Sequence, residues 1–201
     1  MTASPPAAAD LTFVPLAPDR LGDLAALFDQ PGDPKWCWCA SFHVRRRVKG
    51  VPPADNRAIL AERTDRGPAP GLLAYRDGRV VGWVSLGPRE SFVKLATWKA
   101  LAPVDDRPVW SIVCFVVARH ARGQGVARAL PDAAIEHARA RGATTLEAYP
   151  ADTGGDRIPS PMAYKGTLSM FERAGFEVVE RRTFNRTMPG RPIVRLELHP
   201  T

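Results

Sequence analysis

The stretch from Val109 to Tyr149 constrains this chain more than any other. Val109 to Ala118 (VWSIVCFVVA) is a nearly continuous apolar run rich in β-branched residues, the pattern of a central strand buried on both faces. Arg122-Gly-Gln-Gly125 then forms a glycine turn, and Val126 to Arg141 follows with apolar residues Val126, Leu130, Ala134 and Ala138 at a helical spacing. Gly142 ends this helix, and Thr144 to Tyr149 is a second strand. A strand, helix and strand in this order predict two parallel neighbours joined by a right-handed crossover. Pro131 lies inside the helix, removes one backbone bond and predicts a kink.

The rest of the chain supplies elements to flank this unit. Residues 1–10 are rich in Pro and Ala and are expected to be disordered, leaving 11–201 as a single domain. Leu11 to Ala17 reads as a strand and Asp19 to Phe28 as a short helix. From Asp29 to Val51 the pattern is lost, which predicts a long loop or broken helix. Asp55 is a suitable N-cap for a helix through Arg66. Leu72 to Tyr75 and Val80 to Leu86 flank Asp77-Gly78, a tight hairpin turn. Residues 89–107 read as an irregular insertion. Ala163 to Arg173 reads as a helix capped by Gly175, and Phe176 to Arg186 and Ile193 to Leu198 are two closing strands.

A glycine turn between a buried strand and a helix presents backbone N–H groups at the positive end of the helix, a ready site for phosphate or pyrophosphate. Gly123 and Gly125 let the backbone approach a ligand closely. The turn is not a dinucleotide fingerprint, because Arg128 stands where the third glycine belongs, and it has no Gly-Lys-Ser/Thr of a Walker loop. What fits is Arg122-x-x-Gly125-x-Ala127, preceded by Phe115-Val116-Val117 and followed much later by Met170-Phe-Glu-Arg-Ala-Gly175-Phe176.

These residues resemble the GNAT N-acetyltransferase family in its pyrophosphate motif and in its late Gly-Phe junction between helix and strand. The resemblance implies an α/β (α+β) fold: a mixed, mostly antiparallel central sheet with a parallel β-α-β acyl-CoA-binding unit and flanking helices. It implies transfer of an acetyl group from acetyl-CoA to a primary amine of a small acceptor. Carried onto this sequence, Phe115, Val116 and Val117 would pair with the pantetheine arm. Backbone groups of Arg122, Gly123, Gln124, Gly125, Val126, Ala127 and Arg128 would hold the pyrophosphate. The Val117 N–H would stabilise the developing oxyanion.

The chain departs from the family at the proton donor. The tyrosine that usually serves as general acid falls on Phe171, which has no proton to give. Tyr164, seven residues earlier and two helical turns back on the expected helix, is the nearest phenol and the candidate acid. Glu147 interrupts an apolar strand and is the candidate base. Cys114 reads as a small buried apolar residue and His120 as a solvated one. The loss of the usual acid motivates an alternative, a catalytically silent acyl-CoA-binding or sensing module.

Trp36-Cys37-Trp38-Cys39, with Phe42 and His43, is the other dense feature. Cys37, Cys39 and His43 offer three zinc ligands but no fourth at a standard spacing, so no metal is expected. The aromatic residues are expected to wall the acceptor pocket, with Trp36, Trp38 and Phe42 as substrate-binding candidates. Three cysteines, two of them one residue apart, read as reduced thiols.

The 201 residues carry 28 Lys+Arg against 21 Asp+Glu, a net charge of +7. Nearly all of the basic residues are arginine, and Arg45-Arg46-Arg47 reads as a solvated face. This balance favours a phosphorylated small ligand, while the absence of any nucleic-acid-reading motif argues against DNA or RNA. No apolar run approaches the roughly 20 residues of a membrane span, and the first residues have no signal-peptide pattern. A cytoplasmic protein without membrane contact is therefore expected, and a homodimer is compatible with the sequence.

Overall fold

A computed structural model describes residues 10–30, 35–45, 51–155, 163–182 and 190–199. Seven strands form one sheet: β1 Thr12–Pro15, β2 Gly71–Arg76, β3 Arg79–Pro88, β4 Trp110–Val117, β5 Thr145–Ala148, β6 Glu177–Arg182 and β7 Arg191–Glu197. Their spatial order is β1-β2-β3-β4-β5-β7-β6. Every neighbouring pair is antiparallel except β4 and β5, so the sheet is mixed and mostly antiparallel. The helices given full bounds among the described residues are α1 Leu21–Phe28, α2 Pro53–Asp65, α3 Val93–Thr97, α4 Val126–Ala140 and α5 Leu168–Arg173.

Alternation along β3 sorts the helices onto the two faces. A Cβ on Gly82 would lie 2.9 Å from Val126 Cγ1, so the glycine at this position is what lets α4 sit so close to the sheet. The α4 stripe Val126, Leu130, Ala134 and Ala138 is buried, as its spacing predicts. Pro131 lies within α4 and the helix continues through it to Ala140. On the other face, Trp83 is fully buried and meets Cys39, while Phe28 of α1 packs edge-on against Trp38 with ring centroids 5.1 Å apart.

Two features of β4 open the sheet. Ser85 of β3 pairs with Cys114 but Leu86 pairs with Ile112, so Val113 is an extra residue that bends β4. Beside it, β5 pairs in parallel with only Trp110, Ser111 and Ile112. Among the described residues, no strand pairs with the β5 side of β4 from Val113 to Val117. The Ala118 N–H bonds to Val81 on β3, so the amides of Phe115 and Val117, an odd number of residues away, face the free side.

Several boundaries differ from the sequence reading. Pro52, not Asp55, precedes α2, because Pro53 already supplies a helical φ at the first position. The insertion at 89–107 contains α3 and short 3-10 turns. The helix expected from Ala163 begins only at Leu168: Gly166 adopts φ +78, which breaks helical geometry ahead of it. Residues 1–9, most of the arginine triplet and the turn at Met188-Pro189 lie outside the described residues.

Candidate active site

The free edge of β4 runs into a cleft of about 430 Å³ lined by Val117, Arg122, Gly123, Gly125, Ala127 and Arg128, with Gly166, Met170 and Arg173 opposite. Gly123 and Gly125 take φ of +74 and +82, the left-handed region open to glycine at no steric cost. Gly125 is the N-cap of α4 and has no side chain to cap the helix, so the first-turn amides and the positive end of the dipole are presented to the cleft. Three arginines on the rim add positive charge. A phosphorylated ligand suits this place, with backbone donors at its floor and guanidinium groups at its margin.

A larger hollow of about 700 Å³ lies between α4 and the β1–β2 edge, lined by Phe13, Leu72, Asp132, Ala133, Glu136 and His137 among others. Its two carboxylates would repel a phosphate. Size therefore does not identify the site here; charge and the helix terminus do.

The ten residues assigned to the cofactor do not all reach the cleft. Phe115, Val116 and Val126 are buried. Gln124 turns the other way: its amide donates to the His120 carbonyl at 2.8 Å, and its side-chain oxygen accepts from Arg76 Nη1 at 2.8 Å. Arg76 also donates to the Gln124 carbonyl, so this residue braces the turn against β2. At the free edge, the Phe115 N–H donates to the Tyr164 carbonyl at 2.6 Å, and the Arg122 Nε donates to the Val117 carbonyl at 3.3 Å. The sequence reading missed the wall formed by Ala163, Gly166, Thr167, Met170 and Arg173. The same Met-Phe-Glu-Arg-Ala-Gly stretch that marked the fold supplies two of these residues, Met170 and Arg173.

Glu147 does not have the surroundings of a general base. It is fully buried, and both carboxylate oxygens are engaged. Oε1 accepts from Arg89 Nη1 at 2.9 Å and from the Tyr149 hydroxyl, and Oε2 accepts from Arg195 Nε at 2.9 Å. Arg195 in turn binds Asp105 through both terminal nitrogens, at 2.7 and 3.1 Å. The hydrogen bond from Arg195 holds the Asp105 carboxyl well below the usual range, and burial followed by the Glu147 charge raises the Tyr149 phenol. The carboxylate that breaks the apolar pattern of β5 is thus the centre of a buried ion network, held by two arginines and closed to solvent.

Tyr164 is half-buried and lies in a turn, not on α5, so its phenol is not placed by helical spacing. Phe171 is fully buried against Phe115 and Phe176, with centroids at 5.8 and 5.0 Å. His120 is exposed and Cys114 is buried, as expected.

The Trp36 segment divides between core and surface. Trp38 is 2% exposed and packed on Phe28, so it walls no pocket, whereas Trp36 is 60% exposed. Asn56 of α2 donates to the Trp36 carbonyl at 2.7 Å and anchors the segment. All three rings carry cations: Lys35 lies over Trp36, Arg57 over Trp38, and both Lys94 and Lys165 over Phe42. Burial raises the Cys37 thiol to about 12, and a hydrogen bond with Cys114 raises Cys39. Among the described residues no group of three or more His, Cys, Asp or Glu is arranged to hold a metal ion, and no helix is long and apolar enough to cross a membrane.

Solved structures share this fold at low identity. The N-acetyltransferase of Staphylococcus aureus Mu50 aligns over 94% of this chain and 99% of its own, with a TM-score of 0.56 and 16% identity. A Salmonella typhimurium protein described as an acetyltransferase, solved with its cofactor acetyl-CoA, aligns over 96% of both chains with a TM-score of 0.56 and 16% identity. The Drosophila melanogaster polyamine N-acetyltransferase, which forms N-acetylagmatine, aligns over 94% of this chain and 100% of its own, with a TM-score of 0.57 and 13% identity. No curated protein gives a significant match to the sequence. Residues 36–160, more than half of the chain, match the model of the acetyltransferase (GNAT) family, and the chain belongs to that family.

Proposed function

We propose that this protein transfers an acetyl group from acetyl-CoA to the primary amine of a small acceptor. The observation that carries the reading is the shared cleft: the uncapped N-terminus of α4 and the strand-free edge of β4 open into one space. The pyrophosphate would sit on the first-turn amides of α4, with Arg122, Arg128 and Arg173 beside it. The pantetheine arm would meet β4 at the Val117 amide, since the Phe115 amide is already bound to the Tyr164 carbonyl. The Val117 amide faces that path and would stabilise the oxyanion as the amine adds to the thioester carbonyl. With Glu147 committed to its ion pairs, the proton of the attacking amine would leave to water. Tyr164 would return a proton to the departing thiolate.

Burial of Phe171 among phenylalanines favours a second reading, an acyl-CoA-binding module without turnover. Thiol release from acetyl-CoA across a panel of amines separates the two, and melting with and without acetyl-CoA tests the binding they share. Binding without thiol release for any amine supports the module. A melting temperature indifferent to acetyl-CoA refutes both.

A further inference from the structure

An amine that attacks a thioester must lose a proton, and the cleft walls hold no ordinary base for it. Among the described residues lining the cleft none is Asp, Glu or His, and Glu147 is held by two arginines. Lys165 stands beside this space, in the short stretch between Ala163 and Gly166, both of which line the cleft.

That stretch passes from one face of the sheet to the other. Gly82 faces Val126 of α4 and pairs with Val117, while Val84 pairs with Phe115, so Phe115 points to the α4 face. A Cβ on Gly166 would lie 3.4 Å from the Phe115 ring, which places Gly166 on this face too. Position 87 is an odd number of residues from 82, and a Cβ there would lie 3.9 Å from Phe92, so Phe92 belongs to the opposite face. Phe42 packs edge-on against Phe92, with centroids 6.4 Å apart. Lys165 Nζ lies 5.5 Å from the Phe42 centroid and 5.0 Å from that of Trp98. Gly166 and the Lys165 amine, from adjacent residues, therefore sit on opposite faces.

The crossing lies where an acyl group would stop. A pantetheine arm entering from the α4 N-terminus meets the Val117 amide; the next amide on that side, Phe115, roughly 7 Å along the strand, is closed by the Tyr164 carbonyl. The acyl end would rest against Tyr164-Lys165. Its arm fills the α4 face, which leaves the face of the Lys165 amine for the acceptor to reach the carbonyl carbon.

We propose that Lys165 is the general base of the transfer, its Nζ taking a proton from the acceptor nitrogen as the N–C bond forms. The inference rests on the acetyl-transfer reading above. The lone pair of the neutral amine forms the N–C bond, and the carbonyl pair moves onto oxygen at the Val117 amide. Lys165 takes one proton from that nitrogen. The oxyanion pair re-forms the carbonyl, and the C–S pair leaves with sulfur, which takes the Tyr164 proton. Lys165 then passes its proton to water and Tyr164 recovers one from water, so amine and acetyl-CoA become amide and CoA.

The surroundings suit a base that works near neutrality. Burial, then the Arg191 and Lys94 charges, push the Lys165 amine down to about 7, with the Cys114 thiol opposing them. The Phe42 and Trp98 faces receive the ammonium as it forms. Lys94 Nζ shares these rings at 5.6 and 5.0 Å; burial lowers it and the Cys37 thiol opposes that. His43 also stacks on Phe92, but burial, followed by the Arg63 charge, pushes it down to about 4, too weak a base to keep a proton taken from an amine.

The pH profile of kcat tests the proposal with any amine that supports thiol release. In the wild type kcat should rise with pH through a limb near 7. Lys165→Met should remove the limb and lower kcat about 100- to 10,000-fold, with the acetyl-CoA dissociation constant within about twofold. Lys165→Arg keeps a charge over the rings but never gives up its proton, so it should be as slow as Lys165→Met. Lys94→Met removes a neighbouring charge and should move the limb to higher pH. Activity restored by arginine, or a limb that persists in Lys165→Met, would overturn the proposal. A second readout needs no turnover. In protein labelled with carbon-13 at the lysine ε-carbons, the NMR signal lost in Lys165→Arg should titrate near 7. Titration near the ordinary lysine value of about 10.4 overturns the proposal even where the wild type releases thiol. Titration near 7 in a wild type that releases no thiol with any amine overturns the acetyl-transfer reading, and the proposal with it.

Discussion

The amide of Phe115 is bound to the carbonyl of Tyr164 at 2.6 Å, which ties the turn before α5 to the free edge of β4. The Tyr164 phenol is therefore positioned by a backbone anchor, and replacing its hydroxyl leaves that anchor in place. Tyr164→Phe should lower kcat by roughly 10- to 1000-fold with an unchanged acetyl-CoA dissociation constant. A wild-type kcat would show that the thiolate leaves with a proton from water or with none.

Charge reversal at the rim of the cleft should weaken acetyl-CoA binding without unfolding the protein, because Arg128 is exposed and Arg173 lies at the end of α5. Each of Arg128→Glu and Arg173→Glu is expected to raise the dissociation constant about 10- to 100-fold, the worth of a charge-assisted contact to phosphate. Titration calorimetry measures it, and an unaltered constant would move the pyrophosphate elsewhere.

Removing Glu147 strands Arg89 and Arg195 without their shared partner. Glu147→Ala should cost about 3–5 kcal/mol, a drop in melting temperature of roughly 10 °C or more. The fraction that remains folded should keep a kcat within a few-fold of the wild type. Loss of kcat at full stability would restore Glu147 to the chemistry.

Trp38→Ala is expected to act on stability rather than on acceptor recognition, since the ring is buried against Phe28. A loss of about 3–5 kcal/mol is the usual cost of emptying such a site. Denaturant melts read the effect directly. A selective rise in the acceptor KM in a fully stable variant would return Trp38 to the pocket.

Burial, followed by the Arg63 charge, pushes the His43 imidazole from 6.5 down to about 4. Between those values the unfolded chain binds a proton that the folded chain does not, so stability is intact above pH 6.5 and is lost as the pH falls towards 4. In His43→Phe the melting temperature should depend less steeply on pH across this window. An identical slope would assign the acid sensitivity to other groups.

The β-α-β unit was legible because a long apolar strand, two glycines and a four-residue apolar spacing all specify the same local geometry. The hairpin at Asp77-Gly78 was legible for the same reason. The roles of Glu147, Trp38 and Phe42 were not, since each is set by partners distant in the chain. A carboxylate in an apolar strand signals either chemistry or a buried ion pair, and only the arrival of Arg89 and Arg195 decides between them. Tyr164 was found but misplaced, because the break at Gly166 depends on a left-handed backbone that sequence spacing does not reveal. Lys94 and Lys165, 71 positions apart in the chain, gave no local signal at all.

The three residue pairs that join β4 to β5 make the sheet behave as two leaves fastened at one end. Beyond Ile112 the leaves are free to diverge. Near the fastened end, Glu147 on one leaf grips Arg89, which follows the other. Because losing one partner of a buried ion pair is costly, this contact keeps the two leaves fastened at that end.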